Sequence, residues 1–357
     1  MLAPFPSAPA LRRSPPRISI IITSHNYGRY LRRALATACE QSGADTEVIA
    51  VDDGSTDDSR QVLAAWNGPV RTILQDNLGQ AAAFNAGVAA STGDVIVFLD
   101  ADDELRPGIA AAVAEAFAER PDAARAVFRL EVVDGLGRPS GAVVPAGHLP
   151  LPAGDVRDRV LAAPDDLPWP PTSGNAWAAW ALRRLMPLPV GEDKILADLL
   201  LHATVPLLGP VIALDCVGGA YRVHAANSHA SDRLDVEASR RLLRWTARGH
   251  ADVDRLAQEL GYGRARPRSV TLAAHRLVSL RLGGDGHPVS GDSRIRALGA
   301  GLRAACGRVD APLSRRTAYA AWFGLVAISP RWAVRSLVAA VLQPTDGASL
   351  LRRLLRR

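Results

Sequence analysis

Short β-branched runs alternate with helically spaced stretches over the first third of the chain. "RISIIITSHN" is a buried strand that ends in polar residues. In "YGRYLRRALATACEQ", Tyr30, Leu31, Ala34, Leu35 and Ala38 share one helical face. "TEVIAVDDGSTDDS" is a second strand, and its "STDDS" supplies N-cap residues for the helix "SRQVLAAW". "VRTILQDN" predicts a third strand, "GQAAAFNAGVAAS" a helix of small residues, and "DVIVFLDADDE" a fourth strand. "PGIAAAVAEAFAER" then predicts a helix with Pro107 near its first turn. Strands that are apolar throughout, each followed by a helix, predict an α/β, Rossmann-like domain with a mainly parallel sheet flanked by helices.

In such sheets ligands sit at the carboxyl ends of the strands. Three of those ends carry polar clusters: Thr23 to Asn26, Asp52 to Ser55, and Asp100 to Asp103. Each cluster alone is ordinary turn or cap chemistry. Their convergence on one sheet edge is not. Carboxylates accept hydrogen bonds from a base N–H and from ribose hydroxyls, but they repel phosphate. A divalent cation with a taste for oxygen ligands, Mg²⁺ or Mn²⁺, bridges the two anions. An acidic pair at a strand end therefore points to a metal-assisted nucleoside-diphosphate site. Neither GxxxxGK[ST] nor a GxGxxG after the first strand occurs.

Charge divides the chain. Residues 1–239 hold 20 basic and 29 acidic side chains, and residues 240–357 hold 22 and 7. The expected organisation is a disordered, proline-rich leader over 1–16, an α/β domain over 17–235, and a basic, mostly helical region over 240–357. Lys194 is the single lysine, so the positive charge is arginine. Cys39, Cys216 and Cys306 are scattered without CxxC or Cys/His spacing. This argues against a zinc module or disulfide scaffold and fits a reducing compartment. The apolar stretch 318–328 is too short to span a bilayer and is closed by Pro330. The expected location is cytoplasmic, peripheral on the inner face of the cell membrane. The closing "SLLRRLLRR" sets leucines against arginines, the pattern of an interfacial helix on an anionic membrane surface. Few aromatics accompany the basic residues, so no nucleic-acid partner is expected.

The segments "SIIITSHNYGRYLRRAL", "VIAVDDGSTDDS", "QDNLGQAAAFNAGVAASTGDVIVFLDADDELRPG" and "YRVHAANS" resemble, in order and spacing, the family 2 glycosyltransferases of GT-A fold. The resemblance covers residue 17 to about residue 232 and leaves 240–357 unexplained. It implies transfer of a sugar, with inversion, from a nucleotide-diphosphate sugar to an acceptor hydroxyl. A UDP-sugar is the favoured donor. The acceptor would be a glycan or lipid-linked intermediate of bacterial cell-wall or polysaccharide biosynthesis. Position by position, it implies that Thr23, Asn26 and Tyr27 contact the nucleotide and that Asp53 hydrogen-bonds the base. Gly79 and Gln80 pack on that base, and Asn85 faces the donor. Asp100-Ala101-Asp102 matches the DxD motif, with Asp100 toward ribose and sugar, Asp102 on the metal, and Asp103 a further sugar contact. Arg222 would neutralise diphosphate charge, and His224 would complete the metal shell.

The resemblance implies a carboxylate base on a helix beyond the sheet. Asp198 in "KILADLLLHA" lies eleven positions before Gly209, the spacing expected of that base, and is the first choice. Asp193, in the more conspicuous Glu192-Asp193 pair, is the second. Thr172, Ser173, Gly174, Asn175 and Trp177 are the expected acceptor contacts. The competing readings are a nucleotidyltransferase-like nucleotide-sugar enzyme and a binding module acting through the basic tail.

Overall fold

The computed structural model describes residues 2–9, 15–190, 197–224, 236–263, 268–283, 286–308 and 311–342. The chain divides into two compact units. One comprises Met1–Asp158 and Pro168–His224, the other Arg159–Leu167 and Ala225–Arg357.

The first unit is built on a nine-stranded sheet. Its strands are β1 (Ile18–Ser24), β2 (Thr46–Asp53), β3 (Val70–Gln75), β4 (Val95–Asp100), β5 (Glu104–Leu105), β6 (Arg125–Asp134), β7 (Pro139–Val144), β8 (Asn175–Ala178) and β9 (Val211–Val223). They lie in the order β3-β2-β1-β4-β8-β6-β9-β5, with β7 on β6. β1 to β4 are mutually parallel, as the apolar runs of β1, β2 and β4 predict, and β3 (VRTILQ) is the more polar edge strand. β8 enters antiparallel between β4 and β6. That reversal has no local signal, because a strand buried on both faces has the same composition in either direction.

Helices α1 (Gly28–Cys39), α2 (Ser59–Ala64), α3 (Gln80–Ala90) and α4 (Ile109–Glu119) follow β1, β2, β3 and β5. Ile18, Ile20, Ile21 and Ile22 are fully buried in β1. Phe84 of α3 stacks on Phe98 of β4, ring centroids 3.8 Å apart. Two local expectations shift. The cap of α2 comes from the side chain of Asp57, which accepts the Ser59 N–H, while Asp58 at the N-cap makes no side-chain cap bond. α4 starts two residues after Pro107, with Gly108 at its N-cap in the left-handed region (φ 83°). Residues 2–9, expected in a disordered leader, lie against the unit. The Arg157 guanidinium stands 3.7 Å over the Phe5 ring, and its Nη1 donates to the Ala3 carbonyl at 2.5 Å. A cation over an aromatic face adds attraction to that hydrogen bond.

The second unit is helical: α8 (Val236–Glu259), α9 (Val270–Leu282), α10 (Arg294–Gly307), α11 (Leu313–Ile328) and α12 (Arg331–Leu342). Leu277, Val278, Ala297, Trp322, Phe323, Val326, Val334 and Val338 form its core. A Cβ at Gly301 would come within 2.4 Å of the Phe323 ring, so α10 and α11 approach closely there. The apolar stretch 318–328 is part of α11. Among the described residues no helix is long and apolar enough to cross a membrane. The closing "SLLRRLLRR" lies outside the described residues.

Candidate active site

Strand register assembles the site. Thr23 of β1 pairs with Asp100 of β4, and Ser24 pairs with Asp52 of β2, so the three polar clusters share one sheet edge. At the β2 end, Asp53 is buried and its carboxylate accepts three hydrogen bonds from the end of β3 and the loop after it. Its Oδ1 accepts the Gln75 side-chain N–H at 2.7 Å and the Leu78 amide at 2.9 Å. Its Oδ2 accepts the Gly79 amide at 2.8 Å. Gly79 has φ 91°, so only glycine presents this amide without strain. Gln80, half-buried, then opens α3.

The loop after β1 is tied to the same place. His25 Nδ1 lies 2.8 Å from the Asp53 carbonyl, so it carries the proton, and Nε2 accepts from Asn26 and Asn77. Asn26 adopts φ 62° and its side-chain oxygen accepts the Thr56 amide at 2.7 Å. Asn26 is thus a brace between two loops. Thr23 and Tyr27 are half-buried. Burial, then Asp102, Asp100 and Asp103, hold the Tyr27 phenol far above its ordinary value.

The acids after β4 form a tight group. Ser173 accepts the Asp100 amide at 3.1 Å and donates to Asp103 Oδ2 at 2.7 Å. The Arg222 amide donates to Asp103 Oδ1 at 2.9 Å. The Arg222 guanidinium donates to the Asp102 carbonyl at 2.8 Å and pairs with Glu104 at 2.5 Å. His224 Nε2 lies 3.0 Å from Asp102 Oδ2. Its ring is stacked on Tyr30 and set edge-on to Tyr27, with centroids at 4.9 and 5.7 Å. Thr172 donates to Asp198 Oδ2 at 3.3 Å, and its hydroxyl also works to lower Asp100. Asp198 sits in the first turn of α7 (Ala197–Thr204) and accepts the Leu199 amide at 2.8 Å. One turn therefore joins the acids of β4 to the first-choice base. Asp193 lies outside the described residues.

These carboxyls repel one another. Burial, then Asp102 and Asp198, push Asp100 up to about 8, against the Thr172 hydroxyl. Burial raises Asp102, with the His224 hydrogen bond opposing. Burial, then Asp102 and Asp100, push Asp103 well up, with Arg222 and Ser173 opposing. Among the described residues the cluster holds more acids than cations.

Several expected contacts take other places. Asn85 gives both ends of its amide to Leu188, donating to the carbonyl at 2.9 Å and accepting the N–H at 2.7 Å. A side chain so engaged orders the loop after α6 (Ala179–Leu185) rather than facing a ligand. The buried Arg222 directs its guanidinium into the acidic loop. Ser173, Gly174, Asn175 and Trp177 are buried beneath the acids, so they support the site rather than line an open acceptor surface. Of that group, Ser173 meets the Asp103 carboxylate and Thr172 meets Asp198 across the site.

Asn175 accepts from Arg125, a cation buried to 0% exposure between the Trp169 and Trp177 rings, 4.1 and 4.3 Å from their centroids. Burial lowers Arg125, and Asp198 opposes that shift. Asn175 in turn donates to the Pro171 and Thr172 carbonyls at 2.7 and 3.0 Å. The chain Arg125–Asn175–Thr172 sets the turn that meets Asp198.

Residues 19–140 match the family described as glycosyl transferase family 2. An uncharacterised glycosyltransferase of Nostoc sp. is 35% identical over 219 residues, 60% of this chain and 67% of that protein. The chain belongs to glycosyltransferase family 2 and is a glycosyltransferase. An undecaprenyl-phosphate 4-deoxy-4-formamido-L-arabinose transferase of Sodalis glossinidius is 44% identical over 100 residues, 26% of this chain and 30% of its own length. Among solved structures, S. aureus TarS in complex with UDP-GlcNAc superposes with a TM-score of 0.56 at 16% identity, covering 90% of each chain. A Pyrobaculum calidifontis mannosyltransferase in complex with GDP-Man and Mn²⁺ gives 0.50 at 18% identity, over 94% and 89%. Both share the GT-A fold. In this family 2 chain, the sequence assigned no individual site role to Arg125, His25, Gln75 or Tyr30. Arg125 had one available signal, a charge opening the apolar run of β6. The other three look like ordinary loop and helix-face residues until the loops are brought together.

Proposed function

We propose that this glycosyltransferase moves a hexosyl group, with inversion, from a nucleoside-diphosphate sugar to an acceptor hydroxyl. The observation that carries the reading is the pairing of two functions by one turn: the charge-deficient acids of β4 and the opposing carboxylate of Asp198, joined through Thr172. Asp53, Gly79 and Gln80 serve the base, and Thr23 and Tyr27 line the nucleotide. Asp100 and Asp103 serve the ribose and sugar.

The residues present fit a divalent cation. Asp102 and His224 offer an oxygen and an imidazole nitrogen whose side chains are each 9% exposed. Among the described residues no group of three His, Cys, Asp or Glu gathers as a complete shell. With Asp102 and His224 as ligands, the other positions of Mg²⁺ or Mn²⁺ would fall to phosphate oxygens and water. When bound, the cation supplies positive charge against the departing diphosphate. Tyr27 and Tyr30 hold the His224 ring in place for it, and Arg222 holds the loop that carries Asp102. Asp198 takes the acceptor proton, and Thr172 fixes its carboxylate for that role.

UDP is the favoured nucleotide, in keeping with the UDP-GlcNAc complex of TarS. The GDP-Man complex of the mannosyltransferase keeps GDP in view. The acceptor is a glycan or lipid-linked intermediate of cell-surface polysaccharide assembly, met in the cytoplasm at the inner face of the membrane.

Titration calorimetry of UDP, GDP and dTDP with and without Mn²⁺, on the wild type and Asp102→Asn, tests the reading. The wild type is expected to bind UDP best and only with metal, and the variant to lose the metal dependence while keeping its melting temperature. Unchanged metal-dependent affinity in Asp102→Asn overturns it.

A further inference from the structure

Large apolar side chains stand in water at one corner of the helical unit. Ile328 is 81% exposed and Trp332 79%, with Leu325 at 46%. Leu325 and Ile328 share a face at the end of α11, and Trp332 follows the Ser329-Pro330 break. Neither helix needs them for its core, which Trp322, Phe323, Val326 and Val334 already fill.

Arginine gathers at the same corner. Arg281 of α9 is buried and donates to the Val326 and Ser329 carbonyls, closing the α11–α12 corner from inside. Burial lowers Arg281, and so do the neighbouring charges of Arg294 and Arg331. Of Arg294 and Arg331, the latter also donates to the carbonyl of Leu282, next to Arg281, at 3.5 Å. Each is the first residue of its helix, α10 and α12, and each is exposed. A cation in a first turn opposes the helix dipole, which favours an acid there. Among the described residues no ion pair joins Arg281, Arg294 or Arg331 to a carboxylate. Ile295, next to Arg294, is 83% exposed. The corner thus combines uncompensated positive charge with apolar prongs, and both are unfavourable in water.

We propose that this corner, with Ile328 and Trp332 as its inserted side chains and Arg294 and Arg331 as its phosphate contacts, docks the enzyme on an anionic lipid surface. Prongs set singly among arginines match an interface that is apolar beneath and negative above. Nucleic acid offers no apolar layer for Ile328, and a protein partner would ask for a continuous covered face. The surface gives residues to the peripheral-membrane part of the proposed function. The donor chemistry stands or falls separately, on the Asp102 titration.

The test is co-sedimentation of the full chain with phosphatidylcholine vesicles and with vesicles containing about one-third phosphatidylglycerol. The wild type is expected on the anionic vesicles and not on the neutral ones. Ile328→Ser with Trp332→Ser should cut that binding roughly tenfold or more. Arg294→Gln with Arg331→Gln should weaken it roughly tenfold and flatten its salt dependence. Deletion of 344–357 separates the tail from the corner: the truncated chain should keep binding that the serine pair removes. The proposal is overturned if the wild type ignores anionic vesicles, if the serine pair binds as the wild type does, or if the tail accounts for all binding. It is equally overturned if sedimentation velocity shows a dimer split by the serine pair with vesicle binding unchanged, for then a second copy covers the corner.

Discussion

Asp102-Asp103 in the turn before β5 and Asp165-Asp166 ahead of α9 are both adjacent acids with little exposure, yet the chain treats them differently. At Asp165, burial works to raise the carboxyl, but a hydrogen bond from His250 at 2.8 Å and the Ser269 hydroxyl at 2.5 Å outweigh it and hold it low. Asp166 is raised by burial and by Asp165, and it caps α9 through the Val270 and Thr271 amides at 2.9 and 3.1 Å. Arg308 adds a contact at 3.4 Å. Every oxygen there is used for folding. In the turn before β5, Asp100, Asp102 and Asp103 are all raised, and the nearby Arg222 is largely spent on backbone and Glu104. Burial and adjacency alone do not mark a site. A shortfall of compensating charge among the described residues does, because a bound cation or hydrogen-bonding ligand can make it good.

The first way to break this contrast uses the base. Asp198→Asn is expected to lose about 10²–10⁴-fold in sugar transfer while keeping nucleoside-diphosphate affinity. Asp193→Asn should stay near wild type. Both are read from transfer rates with calorimetry as the control. An inactive Asp193→Asn beside an active Asp198→Asn would hand the role to the other acid.

The second concerns pH. His275 is buried beside the Asp165 cluster; burial lowers it to about 4, with Asp165 opposing. An unfolded chain takes up that proton near pH 6.5, about the ordinary histidine value. Between those values the unfolded state binds more protons, so stability is lost as pH falls from about 6.5 toward 4, by up to about 3 kcal/mol. His275→Leu should flatten that loss in melting curves taken at successive pH values. A slope unchanged by the substitution places the acid sensitivity elsewhere.

Asp165→Ala leaves His250 and Ser269 without their shared acceptor and should cost about 2 kcal/mol of stability. By contrast, Asp102→Asn should leave the melting temperature unchanged or higher, since it removes one of three crowded charges. Equal destabilisation of the two variants would erase the distinction between them.

Much of the α/β framework was legible because its elements carry local patterns: the apolar runs of β1, β2 and β4, the one-sided α1, and the small-residue α3. The acids at the strand ends were legible for the same reason, since a run such as "FLDADD" interrupts a core strand. What was hidden depends on contacts distant in sequence. Nothing in "TSGNAW" tells that Ser173 and Asn175 would be sealed under the acids, and nothing at Arg222 tells that its guanidinium turns inward. Asp165-Asp166 drew no attention, because its partners His250 and Ser269 lie about a hundred residues away. The antiparallel entry of β8 likewise follows from its neighbours, not from its four residues.

The smallest expected effect falls on Thr172, and it bears most directly on how the two carboxylate groups are joined. A hydroxyl has one proton, so Thr172 donates to Asp198 or to Asp100 but not to both at once. Held by Asn175, which Arg125 holds in turn, the turn keeps that proton within reach of each acid. Thr172→Val keeps the shape and removes the proton. A hydrogen bond to a charged group is worth about 1.5–3 kcal/mol, so a partly exchanged one predicts about a tenfold loss of kcat. Nucleoside-diphosphate affinity should stay as it is, because the residues at the β2 end are untouched. Thr172→Ser restores the hydroxyl and should restore most of the rate. If the valine variant turns over like the wild type, the bond to Asp198 is incidental. If both variants are equally slow, the threonine matters for packing, and the link between donor acids and base must run through some other residue.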